Sequence, residues 1–389
     1  MESLPLRVGV IGLEHLHVLE MVNGLVEAGA ETVCHTGADA YSDLYAGWRT
    51  DSEERTHADI VADDSLDLIV LAGIPSERAD HAIAALEAGR HVLAAKPAVT
   101  TRAQLDRVDA AARASQRRWW VFFSERWCNR AISKAVELVH AGAIGELVAI
   151  SGSAPHRLNA AERPEWFRDP DRGGSVLVDL AAHQADQLLA LAGPGTVEVL
   201  AASMLATAAS PWPGFFDVGR MSLRHRSVND ARTGTDVNGA GTDAGAGAHA
   251  GTDAGTGAGA ATERVVLSDH HVDWLTPDGL PTWGDVRLSV TGTAGAIEVR
   301  SNLDIAGAPG AEHLFLVDGT DTRRVDCSGV AVDWASRLIA DVRANDRVHG
   351  QANPDRAPDP DSSASTDSGN DTLCAHEHTV EACAITLRA

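Results

Sequence analysis

Lys96 is one of only two lysines, with Lys134, among 32 basic residues. The cationic surface is otherwise built from guanidinium groups. A lysine kept at this position suggests a need for an amine, because arginine holds its proton at neutral pH whereas a desolvated lysine can pass one to a developing alkoxide. A solvated surface lysine is the competing reading. A second group lies in Gly173-Gly-Ser-Val-Leu-Val-Asp179-Leu-Ala-Ala-His183-Gln-Ala-Asp186. Asp179 and His183 are four apart, so on one continuous helix they share a face, and a carboxylate that holds an imidazole makes a general base. From Gly173 to Gly195 the only ionisable residues are Asp179, His183 and Asp186. That points to a buried or cleft-facing polar stripe, the alternative being a helix-capping Asp beside an incidental core His.

The third element is the turn Gly9-Val-Ile-Gly12-Leu13-Glu14-His15-Leu-His17. In a dinucleotide fingerprint, glycines let the backbone approach a pyrophosphate at a helix N-terminus. Here only Gly12 stands, with Glu14 and His17 at the later glycine positions, so the turn by itself also fits a plain strand-turn-helix. The acid that grips the adenosine ribose is missing after Thr36-Gly37, with Asp39 as the candidate substitute, and the choice between NAD and NADP stays open. Other redox chemistries lack their parts. Tyr41 and Tyr45 have no lysine four positions on, and Cys34, Cys128, Cys327, Cys374 and Cys383 lack zinc spacing. The close pairs His15/His17, His270/His271 and His376/His378 read as chance among 17 histidines.

These residues need a scaffold. A strand from Leu6, a helix over about His15–Ala28, strands at Glu31–Thr36 and Leu66–Ala72, helix Ala79–Ala88, strand His91–Ala95, helix Arg102–Ser115 and the run Trp119–Phe123 alternate as a parallel sheet covered on both faces. Lys96 then falls at the carboxyl end of a strand, where open α/β sheets place ligands. After Ser124 the pattern predicts helix Ala131–Ala141, strand Glu146–Ser151, helix Ser175–Leu191, and alternating strands at Val197–Ala202, Val265–Trp274, Val286–Thr291 and Ala296–Arg300. The expected fold class is an α/β Rossmann domain over residues 1–124 plus an α+β domain over 125–350 with a large, mostly antiparallel open sheet. Residues 233–262, where GTDAGAGAHA is nearly repeated as GTDAGTGAGA, and 351–371 read as flexible low-complexity inserts, and 372–389 as a helix packing back on the body.

A formal charge of -23 opposes nucleic-acid and anionic-membrane partners and favours a small molecule. No apolar run reaches membrane-spanning length. With no leader visible and unpaired cysteines, a reducing, cytoplasmic location is expected.

The order of the pieces resembles the Gfo/Idh/MocA oxidoreductase family. Leu6–Gly12 is similar to its first strand and turn, Ala88-Gly-Arg-His-Val-Leu-Ala-Ala-Lys96-Pro97 to its "aGkhVlcEKP" segment with Ala95 in place of Glu, Ala141-Gly-Ala-Ile-Gly-Glu to its entry into the second domain, and Gly173–Asp186 to its "GGgalxDxgxHxxD" helix. The resemblance implies NAD or NADP held around Gly12, Leu13, Glu14, His15, Ile74 and Pro75. It also implies Lys96 beside the nicotinamide, and His183 as proton acceptor with Asp179 orienting it. Arg126, His156 and Arg157 in the loop 155–159, and Trp166 are then candidates to contact a polyhydroxylated substrate such as a sugar or inositol. A homodimer or homotetramer through the open sheet is implied, and no metal. A redox-neutral NAD-dependent glycoside-cleaving enzyme and a non-catalytic sensor share the same pattern.

Overall fold

The structure is a computed structural model that describes residues 4–37, 39–229, 262–303, 310–349 and 375–389. Apart from Thr262, the expected inserts at 233–262 and 351–371 lie outside the described residues.

The chain begins with β1 (Arg7–Ile11), α1 (His17–Glu27), β2 (Glu31–His35), α2 (Ser42–Trp48), β3 (Glu53–Glu54), α3 (His57–Ala62), β4 (Leu68–Leu71), α4 (Pro75–Glu87), β5 (His91–Ala95), α5 (Arg102–Ser115) and β6 (Trp119–Phe122). The strands form a six-stranded sheet in the order β3-β2-β1-β4-β5-β6, and every pairing is parallel. β4 and β5 are buried throughout, as a parallel sheet covered on both faces requires. In α1, Val18, Met21, Val22 and Leu25 recur at helical spacing and all are buried. α5 starts in a capping box in which Thr101 and Gln104 satisfy each other's backbone amides. The strand order reverses between β1 and β4, and this opens a crevice at the carboxyl ends of the strands.

α6 (Ser124–Trp127) and α7 (Arg130–His140) lead to β7 (Leu147–Pro155), followed by α8 (Pro170–Gly173), α9 (Val176–Asp179) and α10 (Ala181–Ala192). Then come β8 (Thr196–Leu205), β9 (Val218–Asn229), β10 (Thr262–Asp273), β11 (Arg287–Gly292), β12 (Ala296–Arg300), β13 (His313–Val317), β14 (Thr322–Val325), α11 (Trp334–His349) and α12 (His376–Arg388). The second sheet has the order β14-β13-β12-β11-β7-β10-β9-β8 and is antiparallel except where β10 runs parallel to β7. An α/β Rossmann sheet joined to a large, mostly antiparallel sheet is the architecture. α10 is buried along nearly its whole length because β7 and β10 cover one side and α12 another. α12 also touches α5 and β6, so it ties the end of the chain to the first sheet.

Several details differ from the sequence reading. The helix expected over Ser175–Leu191 is two segments joined at Leu180. Leu180 keeps helical dihedrals, φ -86 and ψ -46, so the break is one of hydrogen bonding and not of direction: the His183 amide reaches back three residues, to the Leu180 carbonyl at 3.3 Å. Pro75 opens α4 four residues before the expected start, since proline fits the first helical turn where its missing N–H costs nothing. β9, β13, β14 and α11 were not anticipated.

Candidate active site

Lys96 follows the last residue of β5 and is almost fully buried. Its Nζ donates to Asp179 Oδ1 at 2.7 Å and so bridges the two sheets' territories through a buried ion pair. The backbone around it is held by Arg78 of α4. That buried guanidinium donates from Nε to the Gly73 carbonyl at 2.7 Å, and from Nη1 to the carbonyls of Ala95 at 2.9 Å and Pro97 at 2.7 Å. Burial without a carboxylate partner pulls Arg78 down to about 9, against the opposing charge of Asp179.

His183 lies in the first turn of α10, 1% exposed, with its ring 6.3 Å from that of Phe123 in an edge-on arrangement. The expectation that Asp179 orients His183 is not met. Asp179 Oδ1 is taken by Lys96, and among the described residues His183 Nδ1 has no hydrogen-bond partner. The chain keeps its helical direction through Leu180, so the spacing holds, and it is the approach of Lys96 from the end of β5 that claims the carboxylate. Burial holds the His183 ring well below its ordinary value, and the charges of Lys96, His17 and His156 push it further, so the imidazole is neutral and can accept a proton.

His156 stands at the end of β7 between Trp283 and Trp274, with ring centroids at 4.4 and 5.4 Å. Its Nδ1 contacts the Ala154 carbonyl at 3.1 Å, which fixes the tautomer with Nδ1 protonated. Burial, then the charge of Lys96, pushes this ring down to about 3. Its Nε2 faces Glu125 Oε1 at 3.8 Å. Glu125 is buried; its Oε2 accepts from the Gln184 and Gln187 amides at 2.9 and 3.1 Å, while Oε1 has no partner. Burial pushes this carboxyl up to about 8, against the pull of Lys96 and the two amides.

His17 also joins the cluster. Its pKa and that of His15 fall well below the ordinary value through burial, with Lys96 and Arg78 contributing to both. The pair set aside as chance therefore faces the same charges as His183. The signal lay in position, since His17 stands where the fingerprint has a glycine, at the mouth of α1. Glu125 and Arg163 were also missed. A carboxylate between Phe122-Phe123 and Trp127 could have been read as buried, but nothing in the sequence links Arg163 to its later neighbour Trp274.

The dinucleotide side is a cavity of about 950 Å³ lined by Gly12, Glu14, Thr36, Gly37, Asp39, Glu53, Glu54, Gly73 and Ile74, among others. Gly12 has φ +80, and a Cβ there would lie 2.3 Å from the Gly73 backbone. Only glycine fits this close approach of two strand ends, which is the shape a dinucleotide crevice needs. The turn also shows the cost of its departures. The Gly12 amide donates to Thr36 Oγ1 and the Leu13 amide to Asp39 Oδ2, each at 2.8 Å, so Asp39 is engaged in closing the turn. Glu14 Oε2 accepts from Trp166 Nε1 at 2.8 Å and pins the loop ahead of α8 over the crevice. Leu13 is fully buried, and Pro75 is a buried helix start. Glu54 also stands near the end of β2: its Oε1 would lie 2.2 Å from a Cβ on Gly37.

Two substrate candidates fall outside the cluster. Arg126 makes a two-pronged pair with buried Asp186, with both contacts at 2.7 Å, and lines a separate groove beside α11 and α12. Arg157 donates to the carbonyls of Pro277, Asp278 and Leu280 and so braces a loop. Among the described residues no group of three or more His, Cys, Asp or Glu is placed to hold a metal ion, and no helix is long and apolar enough to cross a membrane.

Residues 6–123 match the model of an oxidoreductase family with an NAD-binding Rossmann fold, and residues 132–298 match the GFO/IDH/MocA C-terminal domain. The uncharacterized oxidoreductase YdgJ of Escherichia coli (strain K12) is 29% identical over 191 residues, which are 48% of this chain and 54% of YdgJ. Inositol 2-dehydrogenase of Salmonella typhimurium (strain LT2) is 26% identical over 161 residues, 41% of this chain and 46% of that protein. The matched stretch thus spans about half the length of these curated relatives. A crystal structure of an oxidoreductase of unproven activity from Erwinia carotovora atroseptica superposes with a TM-score of 0.79 at 26% identity, covering 99% of this chain and 97% of that one.

Proposed function

This chain belongs to the Gfo/Idh/MocA oxidoreductase family, and from that premise we propose that it is an NAD(P)-dependent dehydrogenase acting on a secondary hydroxyl of a sugar, inositol or related polyol. The observation that carries the reading is the buried Lys96–Asp179 pair beside neutral His183, at the strand ends next to the Gly12–Gly73 crevice. Inositol 2-dehydrogenase among the relatives supports the substrate class.

Nicotinamide, when bound, supplies the hydride acceptor or donor. Lys96, fixed by Asp179, presents a cationic donor to the reacting oxygen and stabilises charge that develops there. His183, neutral and without a partner on Nδ1, accepts the hydroxyl proton on oxidation and returns it on reduction. Arg78 keeps the Ala95 and Pro97 carbonyls in place, so that Lys96 needs no reorganisation. Gly12, Gly73 and Ile74 fit a dinucleotide, and Glu54 beside Gly37 fits a ribose diol better than a 2′-phosphate, which favours NAD. The exposed Val148, Leu200, Val265 and Leu267 on the eight-stranded sheet support self-association through it.

Turnover of polyols, inositols and sugar acids with free NAD or NADP, followed by nicotinamide absorbance, tests the reading. A chain that cleaves glycosides with no net change in nicotinamide would replace it with the redox-neutral alternative.

A further inference from the structure

Arg163 makes no ion pair among the described residues. It follows the short 3-10 turn Ala160–Glu162 in the loop between β7 and α8. Its Nε donates to the Leu158 carbonyl at 2.9 Å, and the guanidinium lies over two rings, 4.3 Å from the Phe167 centroid and 5.0 Å from that of Trp274. Among the described residues its two terminal nitrogens have neither a hydrogen-bond acceptor nor an ion-pair partner. Most arginines in this chain do pair: Arg55 with Glu53 and Asp63, Arg126 with Asp186, Arg117 with Asp346.

Its surroundings are cationic as well. The charge of Arg163 reaches His15, His17 and His156, helping to lower each ring, and Arg163 itself is affected by Asp179. It therefore sits within electrostatic range of the reacting pair. Lys96 and Arg78 are the other two cations of this cleft, both buried. The carboxylates that act on Arg163 are Asp179, which Lys96 already binds, and the exposed Glu162 that precedes it in the chain. Glu125 offers little counter-charge, because burial keeps its proton on up to about pH 8. Desolvation lowers the proton affinity of Arg163, the mark of a cation that an arriving anion would stabilise.

We propose that Arg163 is the anchor for a carboxylate on the substrate, so that the oxidised compound is a polyhydroxy acid of the aldonate or aldarate type and not a neutral sugar or inositol. This rests on the dehydrogenase reading above and narrows it. The planar guanidinium fork matches a carboxylate's two oxygens, and the flanking rings fix its plane and limit the entropy lost on binding. With the acid group at Arg163, the hydroxyls fall to Lys96, to the neutral ring of His183 and to His156. The rival occupant is a phosphate of the dinucleotide. Arg163 packs on Phe167 and on Trp274, which itself lies 5.4 Å from His156, while its charge also reaches His15 and His17 beside the Gly12 turn, so the measurement of NAD binding separates the two occupants.

The test uses the full chain. Initial rates with NAD and NADP are compared for D-gluconate and galactarate against D-glucose and myo-inositol. Gluconate binding is also measured by calorimetry with NADH present, where no turnover occurs, and NAD binding is measured alone. The acids should be preferred. Arg163→Gln should raise their KM and the gluconate Kd about 10- to 100-fold with kcat little changed, the size expected for a lost charge-assisted pair. It should leave NAD binding and the melting temperature near wild type, and Arg163→Lys should recover part of the loss. Neutral polyols turned over as well as the acids, or an Arg163→Gln defect that falls on NAD binding, would overturn the carboxylate site. Gluconate binding that depends on Arg163 in a chain that reduces no NAD would uphold the anchor and defeat the dehydrogenase reading; turnover of neutral polyols alone would do the reverse.

Discussion

Lys96 Nζ and Asp179 Oδ1 are 2.7 Å apart in a buried pair that ties the end of β5 to the end of α9. Removing one partner of such a pair leaves an uncompensated buried charge, which costs about 3–5 kcal/mol. Lys96→Met and Asp179→Asn should each lower stability by amounts of that order in denaturant melts. The double variant Lys96→Met/Asp179→Leu should lose less than the sum of the single changes. Turnover should fall by about 10²- to 10⁴-fold in Lys96→Met and stay low in the double variant, because restoring stability does not restore a proton donor.

His183 supplies a pH signature. Its folded pKa is depressed well below the ordinary 6.5 by burial, so the folded ring stays neutral as pH falls through 6.5 while the unfolded ring takes up a proton. Activity that needs the neutral ring should therefore persist below pH 6.5, and the stability tied to the ring is present above 6.5 and is lost as pH falls below it. His183→Asn should reduce kcat by about 10²- to 10⁴-fold and make the acid-side loss of melting temperature shallower. A kcat/KM profile that falls through pH 6.5 in wild type and not in the variant would show a solvated, ordinary histidine.

Much of this was legible in the sequence, and the limits have physical causes. β5 and α5 were placed to the residue because continuous burial and a capping box are local signals. Lys96 stood out because lysine is rare here, and Asp179, His183 and Asp186 because no other charges accompany them on their stretch; all four are buried. Partner choice was not legible. Asp179 bonds across the fold to Lys96 and not along the helix to His183, Arg126 bonds to Asp186 and not to the cleft, and Asp39 closes the glycine turn. Each of these pairings depends on tertiary approach, which spacing along one element does not encode. Arg163 was invisible for the same reason, as were the amide partners of Glu125.

Glu125 should act on stability in the opposite sense to an ordinary carboxylate. Burial raises it from the ordinary 4.5 to about 8, so between these the folded chain holds a proton that the unfolded chain has released. The resulting penalty is absent below about pH 4.5, grows as pH rises to about 8, and is constant above that. Glu125→Gln keeps an acceptor for the Gln184 and Gln187 amides and carries no charge. Its melting temperature should gain on wild type as pH is raised from 5 to 8.5; a gap that stays constant across that range would mean Glu125 titrates normally.

Gly12→Ala tests the crevice without touching the reacting groups. A methyl group would lie 2.3 Å from Gly73 at a left-handed φ of +80. The turn must shift, and NAD binding by calorimetry should weaken at least about 10-fold, the sensitivity expected where backbone must approach a ligand closely. Unaltered binding would place the dinucleotide elsewhere.

The most direct measurement follows the hydrogen itself. D-gluconate and myo-inositol deuterated at their carbinol carbons are incubated with the full chain and NAD, and the reduced nicotinamide is examined by mass spectrometry. Direct transfer in a cleft organised by Lys96, Asp179 and His183 predicts deuterium on the recovered NADH, accumulating about 10²- to 10⁴-fold more slowly with the Lys96→Met chain. NADH free of deuterium, or glycoside cleavage with the nicotinamide unchanged, would contradict the account.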